Sequence, residues 1–136
     1  KTFSEYPGIA GEDMNMLTTV SEGYTGNGIK VAVLDTGLEI AHEDLSANII
    51  SGGSWDFVGG DTDPTPTSTG GDHGTEVAGI IAARDRNGIG VRGVAPRVKL
   101  KGFNILKNQN LTNYLKALGA SSSSPNSSDI DIFKYK

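Results

Sequence analysis

Cysteine is absent from the 136-residue sequence, which excludes disulfide bonds, thiolate catalysis and cysteine-based structural zinc sites. Hydrophobic runs are short, and none approaches the roughly 20 apolar residues that a membrane-spanning helix needs. Positive charge is also scarce, because 12 Lys and Arg stand against 16 Asp and Glu, for a net charge of -4. No basic cluster occurs, so we expect no nucleic-acid surface, and the mild acidity favours cations as charged partners.

The order of the elements predicts an α/β fold. Hydrophobic residues make up 36% of the chain and charged residues 21%, which suits one domain with a core. A short amphipathic helix is expected at 13–21, and a short strand at 54–58. Between and after them, strands alternate with helices: strand Ile29–Leu34, helix Glu76–Arg84, strand Val98–Phe103, helix Thr112–Leu118 with Leu115 and Leu118 facing inward, and strand 129–133. Such alternation predicts a parallel sheet with right-handed crossovers and helices on both faces.

The stretch VAVLDTG, residues 31–37, places an aspartate at the end of a buried strand. The carboxyl end of a parallel strand is where α/β proteins carry chemistry. Asp-Thr-Gly occurs in two unrelated classes of protease. In aspartic proteases it holds one carboxylate of a proton-sharing pair, and in subtilisin-like serine proteases it holds the aspartate that orients a histidine. A third interpretation is that Asp35 merely caps the following turn.

The second candidate residue is His73, followed by Gly-Thr and an Ala-rich helix. At a helix N-terminus the positive end of the macrodipole disfavours a protonated imidazole. A neutral imidazole can accept a proton, which is what a general base requires. His42 has no such setting and is interpreted as a loop residue.

Four motifs in order resemble those of the subtilisin-like serine proteases (peptidase S8): LDTG, H-x-D-L, HGT-x-VAG-x-IAA and NGIGVRGVAP. GYTGNGIKVAVLDTG, SWDF and the stretch Asp61–Pro66 lean toward the kexin-like branch. The resemblance implies that Asp35 and His73 are the triad aspartate and histidine. His73 would take the proton of a serine hydroxyl attacking a peptide carbonyl, and Asp35 would fix the imidazole tautomer. Implied with this are a subtilisin-like sheet, secretion and a polypeptide substrate.

The aspartic-protease interpretation is the weaker alternative. Its dyad needs a second Asp-Thr/Ser-Gly, which the sequence does not supply. A further alternative is a non-catalytic α/β fragment that binds calcium or a partner chain.

The resemblance also implies a Ca²⁺ site. The family holds calcium with an aspartate nine residues after the triad aspartate, here Asp44, and with the loop 84–91 after the histidine helix. The implied loop ligands are the Asn87 side chain and the carbonyls of Arg84, Ile89 and Val91. Ca²⁺ accepts six to eight oxygen ligands, including carbonyls from an irregular loop. Without the resemblance, Asn87-Gly88 would be an ordinary tight turn.

Two departures from the family shape the expectations. The nucleophile segment G-T-S-x-x-x-P is absent, and the serines at 121–124 and 127–128 lie in a connector. We therefore expect residues 1–136 to form the N-terminal half of a subtilisin-like peptidase domain, inactive alone. The remaining half, a propeptide and a chaperone chain are candidate partners. Thr36 stands where kexin-like enzymes carry a second acid, which puts dibasic specificity in doubt.

Overall fold

The computed structural model describes residues 14–120 and 129–136. Residues 1–13 and the connector serines at 121–124 and 127–128 lie outside the described residues. In chain order the elements are α1 (Leu17–Ser21), β1 (Lys30–Asp35), a 3₁₀ turn (Ser46–Asn48), β2 (Trp55–Asp56), α2 (His73–Ala82), β3 (Lys99–Asn104), α3 (Leu111–Ala117) and β4 (Ile132–Tyr135). Within these residues no helix is both long and apolar enough to cross a membrane.

The four strands form one sheet in the order β2-β3-β1-β4, and every pairing is parallel. β1 is central and pairs with β3 from Lys30↔Lys99 to Asp35↔Asn104. Because the strands are parallel, their carboxyl ends meet at one edge, and Asp35 lies there. The predicted parallel α/β sheet is confirmed.

The two faces of the sheet are covered by different helices. Alternate residues of β1 point to opposite faces, as expected for a strand buried on both sides. One face packs against α2 through a cluster of Val31, Val33, Leu38, Leu45, Ala78, Ala82, Val98 and Leu100. The other packs against α3 through Ala32, Leu34, Phe57, Phe103, Ile105 and Ala117. The prediction of helices on both faces is therefore correct.

Several details of the helices differ from the prediction. α2 spans His73–Ala82, whereas Glu76–Arg84 was predicted, so the imidazole lies on its first residue. Leu115 on α3 is 41% exposed and Leu118, the residue after it ends, is 45% exposed, so the prediction that they face inward is wrong. Tyr114 and Ala117 contact the sheet in their place, one residue earlier on each turn. The apolar face predicted for α1 is also exposed, with Leu17 at 70%.

Asp129, just before the edge strand β4, is hydrogen-bonded to lysine side chains of β3 and β1. One of its carboxylate oxygens accepts a hydrogen bond from Lys101 Nζ and the other from Lys30 Nζ, both at 2.9 Å. The Lys101 side chain is only 6% exposed, while that of Asp129 is 45% exposed. These two bonds lower the pKa of Asp129 to about 2.

Asp129→Asn is expected to destabilise the fold in a pH-dependent way. The folded-state pKa lies below the unfolded value, so the stabilisation is complete above about pH 4 and is lost as pH falls toward about 2. Because Asp129 is half exposed, we expect a loss of only about 1 kcal/mol at pH 7. Urea unfolding at pH 7 and pH 2 measures it, with the exposed Glu43→Gln as the charge-matched control. An equal loss at both pH values would contradict this account.

Candidate active site

Asp35 is the last residue of β1, and its carboxylate is completely buried. Oδ1 accepts hydrogen bonds from the Thr36 backbone N–H at 2.7 Å and from His73 Nδ1 at 2.8 Å. Oδ2 accepts one from Lys134 Nζ at 2.7 Å. A buried carboxylate is stable only with such partners, and here both oxygens have them.

Burial and hydrogen bonding act on Asp35 in opposite directions. Burial raises the pKa of the carboxyl, but hydrogen bonds from Lys134, the Thr36 backbone and His73 outweigh it and hold the pKa below 3.8. Asp35 is therefore ionised at neutral pH. It can accept the Nδ1 proton of His73 and stabilise a positive charge that develops on the ring.

His73 is placed by the start of α2, with Asp72 as the N-cap residue. Its side chain is 40% exposed. Because Nδ1 faces an ionised carboxylate, we assign the ring proton to Nδ1. Nε2 is then the nitrogen with a lone pair, so the ring can accept a proton there as a general base.

Gly74 and Thr36 explain how α2 comes so close to the end of β1. A Cβ at Gly74 would overlap the carbonyl oxygen of Gly37 and lie 3.0 Å from the Asp35 Cβ, so a larger residue would push His73 away. The Thr36 hydroxyl donates to the carbonyl of Gly71 at 2.7 Å and accepts from the Gly74 N–H at 3.1 Å. Thr36 thus connects the carboxyl end of β1 to the start of α2.

The residues predicted as calcium ligands meet at one place. Asp44 is 4% exposed. Its Oδ1 accepts from Asn87 Nδ2 at 2.7 Å, and its Oδ2 accepts from the Val91 N–H at 3.0 Å. The N–H of Arg84 donates to the Asp44 carbonyl at 2.8 Å, and Ile89 N lies 3.5 Å from Asn87 Oδ1.

The loop 84–91 meets the Asp44 carboxylate through the uncharged N–H groups of Asn87 and Val91. Both Asp44 oxygens receive neutral N–H groups, which leaves the buried negative charge without a full counter-charge from those two bonds. A Cβ at Gly90 would overlap Asp44 Oδ2, so the loop closes tightly on the carboxylate. Nowhere in residues 14–120 and 129–136 do three or more His, Cys, Asp or Glu gather for a metal. A site here would therefore depend on amide and carbonyl oxygens, which Ca²⁺ accepts.

Glu39 and Asp72, two acids near the site, line the same cleft of about 470 Å³ together with Glu76 and Asp44. The cleft therefore has acidic walls. His42 also lines it, and its Nδ1 accepts from the Asp44 N–H at 3.2 Å, which fits the interpretation of a loop residue.

Lys134 is the residue of the site that the sequence analysis missed. In the register of the sheet it lies beside Val33, two residues before Asp35 on β1. Its position next to the carboxylate follows from strand pairing, which the letters of one strand do not reveal.

The sequence of this chain is similar to those of known proteases. Residues 26–133 match the subtilase family, peptidase S8. The extracellular serine protease of Aeromonas sobria is 49% identical over 125 residues, covering 90% of this chain and 20% of that protein. Human furin is 39% identical over 102 residues, covering 73% of this chain and 13% of furin.

The structural comparison leads to the same family. The Aeromonas sobria serine protease, solved in complex with the chaperone ORF2, superposes with a TM-score of 0.81 at 46% identity. The match covers 93% of this chain and 21% of that one. This chain thus spans between 13% and 21% of the length of these relatives. The aspartic-protease alternative is set aside by these matches, and the chain belongs to the subtilase family of proteases.

Proposed function

We propose that this chain is part of a subtilisin-like serine endopeptidase in which Asp35 and His73 are the triad aspartate and histidine. The observation that carries the proposal is the 2.8 Å contact between Asp35 Oδ1 and His73 Nδ1, made by a buried carboxylate and a half-exposed imidazole. This geometry leaves Nε2 available to a substrate or nucleophile from the solvent side.

His73 and Asp35 would have different roles in the reaction. His73 Nε2 accepts the proton of a serine hydroxyl as its oxygen attacks a peptide carbonyl, and returns the proton to the leaving amine. Asp35 remains ionised, keeps the ring proton on Nδ1 and stabilises the imidazolium. In the described part of the chain no serine hydroxyl bonds to His73, so the nucleophile would come from outside these residues. The 136-residue chain alone is proposed to be inactive because its sequence lacks the G-T-S-x-x-x-P nucleophile segment of the family.

Casein hydrolysis tests the proposal. A longer natural protein that contains this chain is expected to hydrolyse casein and to lose that activity after treatment with a serine-directed phosphonate. The 136-residue chain is the matched control, expected to show no hydrolysis. Phosphonate-sensitive hydrolysis by this chain alone would overturn the view that its nucleophile lies elsewhere, and inhibition by a pepstatin-like compound would revive the aspartic mechanism.

We further propose that Ca²⁺ binds at Asp44, Asn87 and the carbonyls of Arg84, Ile89 and Val91. The support is a buried carboxylate enclosed by a loop of neutral donors, as described above. Bound calcium would supply the missing counter-charge and hold the loop after α2 in place. No step of the reaction passes through it.

Specificity, location and partners are proposed from the relatives. Membership of the kexin-like branch is supported by the likeness to furin. Thr36, which stands where kexin-like enzymes carry a second acidic residue, argues against a preference for dibasic cleavage sites. Secretion is supported by the likeness to an extracellular Aeromonas protease, and a chaperone partner by the solved complex of that protease.

A further inference from the structure

Lys134 is a cation bonded directly to the carboxylate that faces His73. Its Nζ lies 2.7 Å from Asp35 Oδ2, and its side chain is 26% exposed. The opposite oxygen, Oδ1, holds His73 Nδ1 at 2.8 Å. One carboxylate thus links an ammonium and an imidazole.

The sheet register makes this contact part of the fold. β4 pairs with β1 so that Lys134 lies beside Val33, whose side chain packs on the α2 face. Side chains two residues apart on a strand share a face, so Asp35 also points to the α2 side. Lys134 therefore approaches the carboxylate from the strand, while His73 approaches it from the helix.

We propose that Lys134 is a positioning residue for the protease reaction, which holds Asp35 through Oδ2 and lowers the pH at which His73 becomes neutral and able to accept a proton. This inference rests on the proposed function for its catalytic meaning. The Asp35 charge favours a protonated ring, and a second cation on the same carboxylate reduces that preference. The protease would consequently work at lower pH than one with a neutral residue at this position.

The other charges around the pair do not substitute for Lys134. Asp72 at the N-cap of α2, Glu76 on its first turn and Glu39 after β1 are all acidic, so each favours a protonated ring. β3 places the neutral Asn104 opposite Asp35 in register, and Lys107 beyond it donates to Ser68 Oγ at 2.6 Å. Asp35 itself keeps its charge from pH 5 to 8, since its pKa lies below 3.8.

The test is the pH titration of the His73 ring, followed by NMR in the 136-residue chain. Lys134→Met is expected to move the midpoint of the His73 titration to higher pH, by roughly half a pH unit to one pH unit. Lys134→Arg, which keeps the charge, is expected to return it close to the original value. An unchanged midpoint in a folded Lys134→Met chain, or a failure of arginine to restore it, would overturn the proposal.

A measurement on the unmutated chain covers the case in which the variant does not fold. A scalar coupling across the hydrogen bond from Lys134 Nζ to the Asp35 carboxyl carbon is expected, and its absence would equally overturn the proposal. Neither the NMR titration nor the coupling measurement requires turnover, so each can succeed or fail independently of the protease function. In a longer active protein, the acid limb of the kcat/KM profile should shift to higher pH in Lys134→Met.

Discussion

Replacing Asp35 by asparagine in a longer, active form of the protein is expected to lower kcat by about 10⁴-fold. The amide keeps the shape of the side chain but can donate a hydrogen to His73 Nδ1, which favours the tautomer that carries its proton on Nε2. A ring in that tautomer cannot accept the proton of a serine hydroxyl. The loss should fall on kcat and leave KM little changed, since Asp35 is completely buried and cannot touch the substrate.

Glu43→Gln is the matched control for this substitution. It removes the same charge from an exposed loop residue eight positions further along the chain, and its kcat should stay within about twofold of the unchanged protein. Circular dichroism of both variants shows whether the fold is kept. A folded Asp35→Asn protein that loses less than about tenfold in kcat would mean that Asp35 does not orient the histidine.

The contact between Asp35 and His73 could be predicted from the sequence, because the positions of both residues depend on local features. A buried apolar strand predicts where Asp35 lies, and the start of an Ala-rich helix predicts where His73 lies. In a parallel α/β fold both positions fall at the same edge of the sheet. The helix boundary was predicted three residues late, since Gly-Thr after His73 carries no apolar periodicity that would mark it as helical.

What the sequence could not predict depends on tertiary pairing. Leu115 and Leu118 were expected to face inward, but the sheet is covered by Tyr114 and Ala117. The position of Lys134 requires knowing that β4 pairs with β1 and in which register. A shift of one residue would have sent the lysine to the other face, away from Asp35.

Removal of Ca²⁺ is expected to lower the free energy of unfolding by about 3–4 kcal/mol, as for a ligand present at 100 to 1,000 times its Kd. The proposed site is formed only in the folded chain, since Asp44 and the loop 84–91 are 40 or more residues apart in sequence. Chemical unfolding in the presence of CaCl₂ and of a chelator measures the difference. Mg²⁺ should stabilise far less, because it requires small octahedral sites that carbonyl loops rarely provide.

Asp44→Asn should abolish most of this calcium dependence. The amide keeps one oxygen but removes the only charge among the proposed ligands, and hard cations bind neutral oxygens far more weakly than carboxylates. In the chelator, by contrast, the variant should be little less stable than the unchanged chain, since the buried negative charge is then no longer offset by a cation. Glu43→Gln, one residue away in the same loop, should keep the full response to Ca²⁺. If Asp44→Asn and the unchanged chain gained equally from Ca²⁺, the ion would have to bind elsewhere, and the enclosure of Asp44 by Asn87 and Val91 would be purely a matter of loop structure.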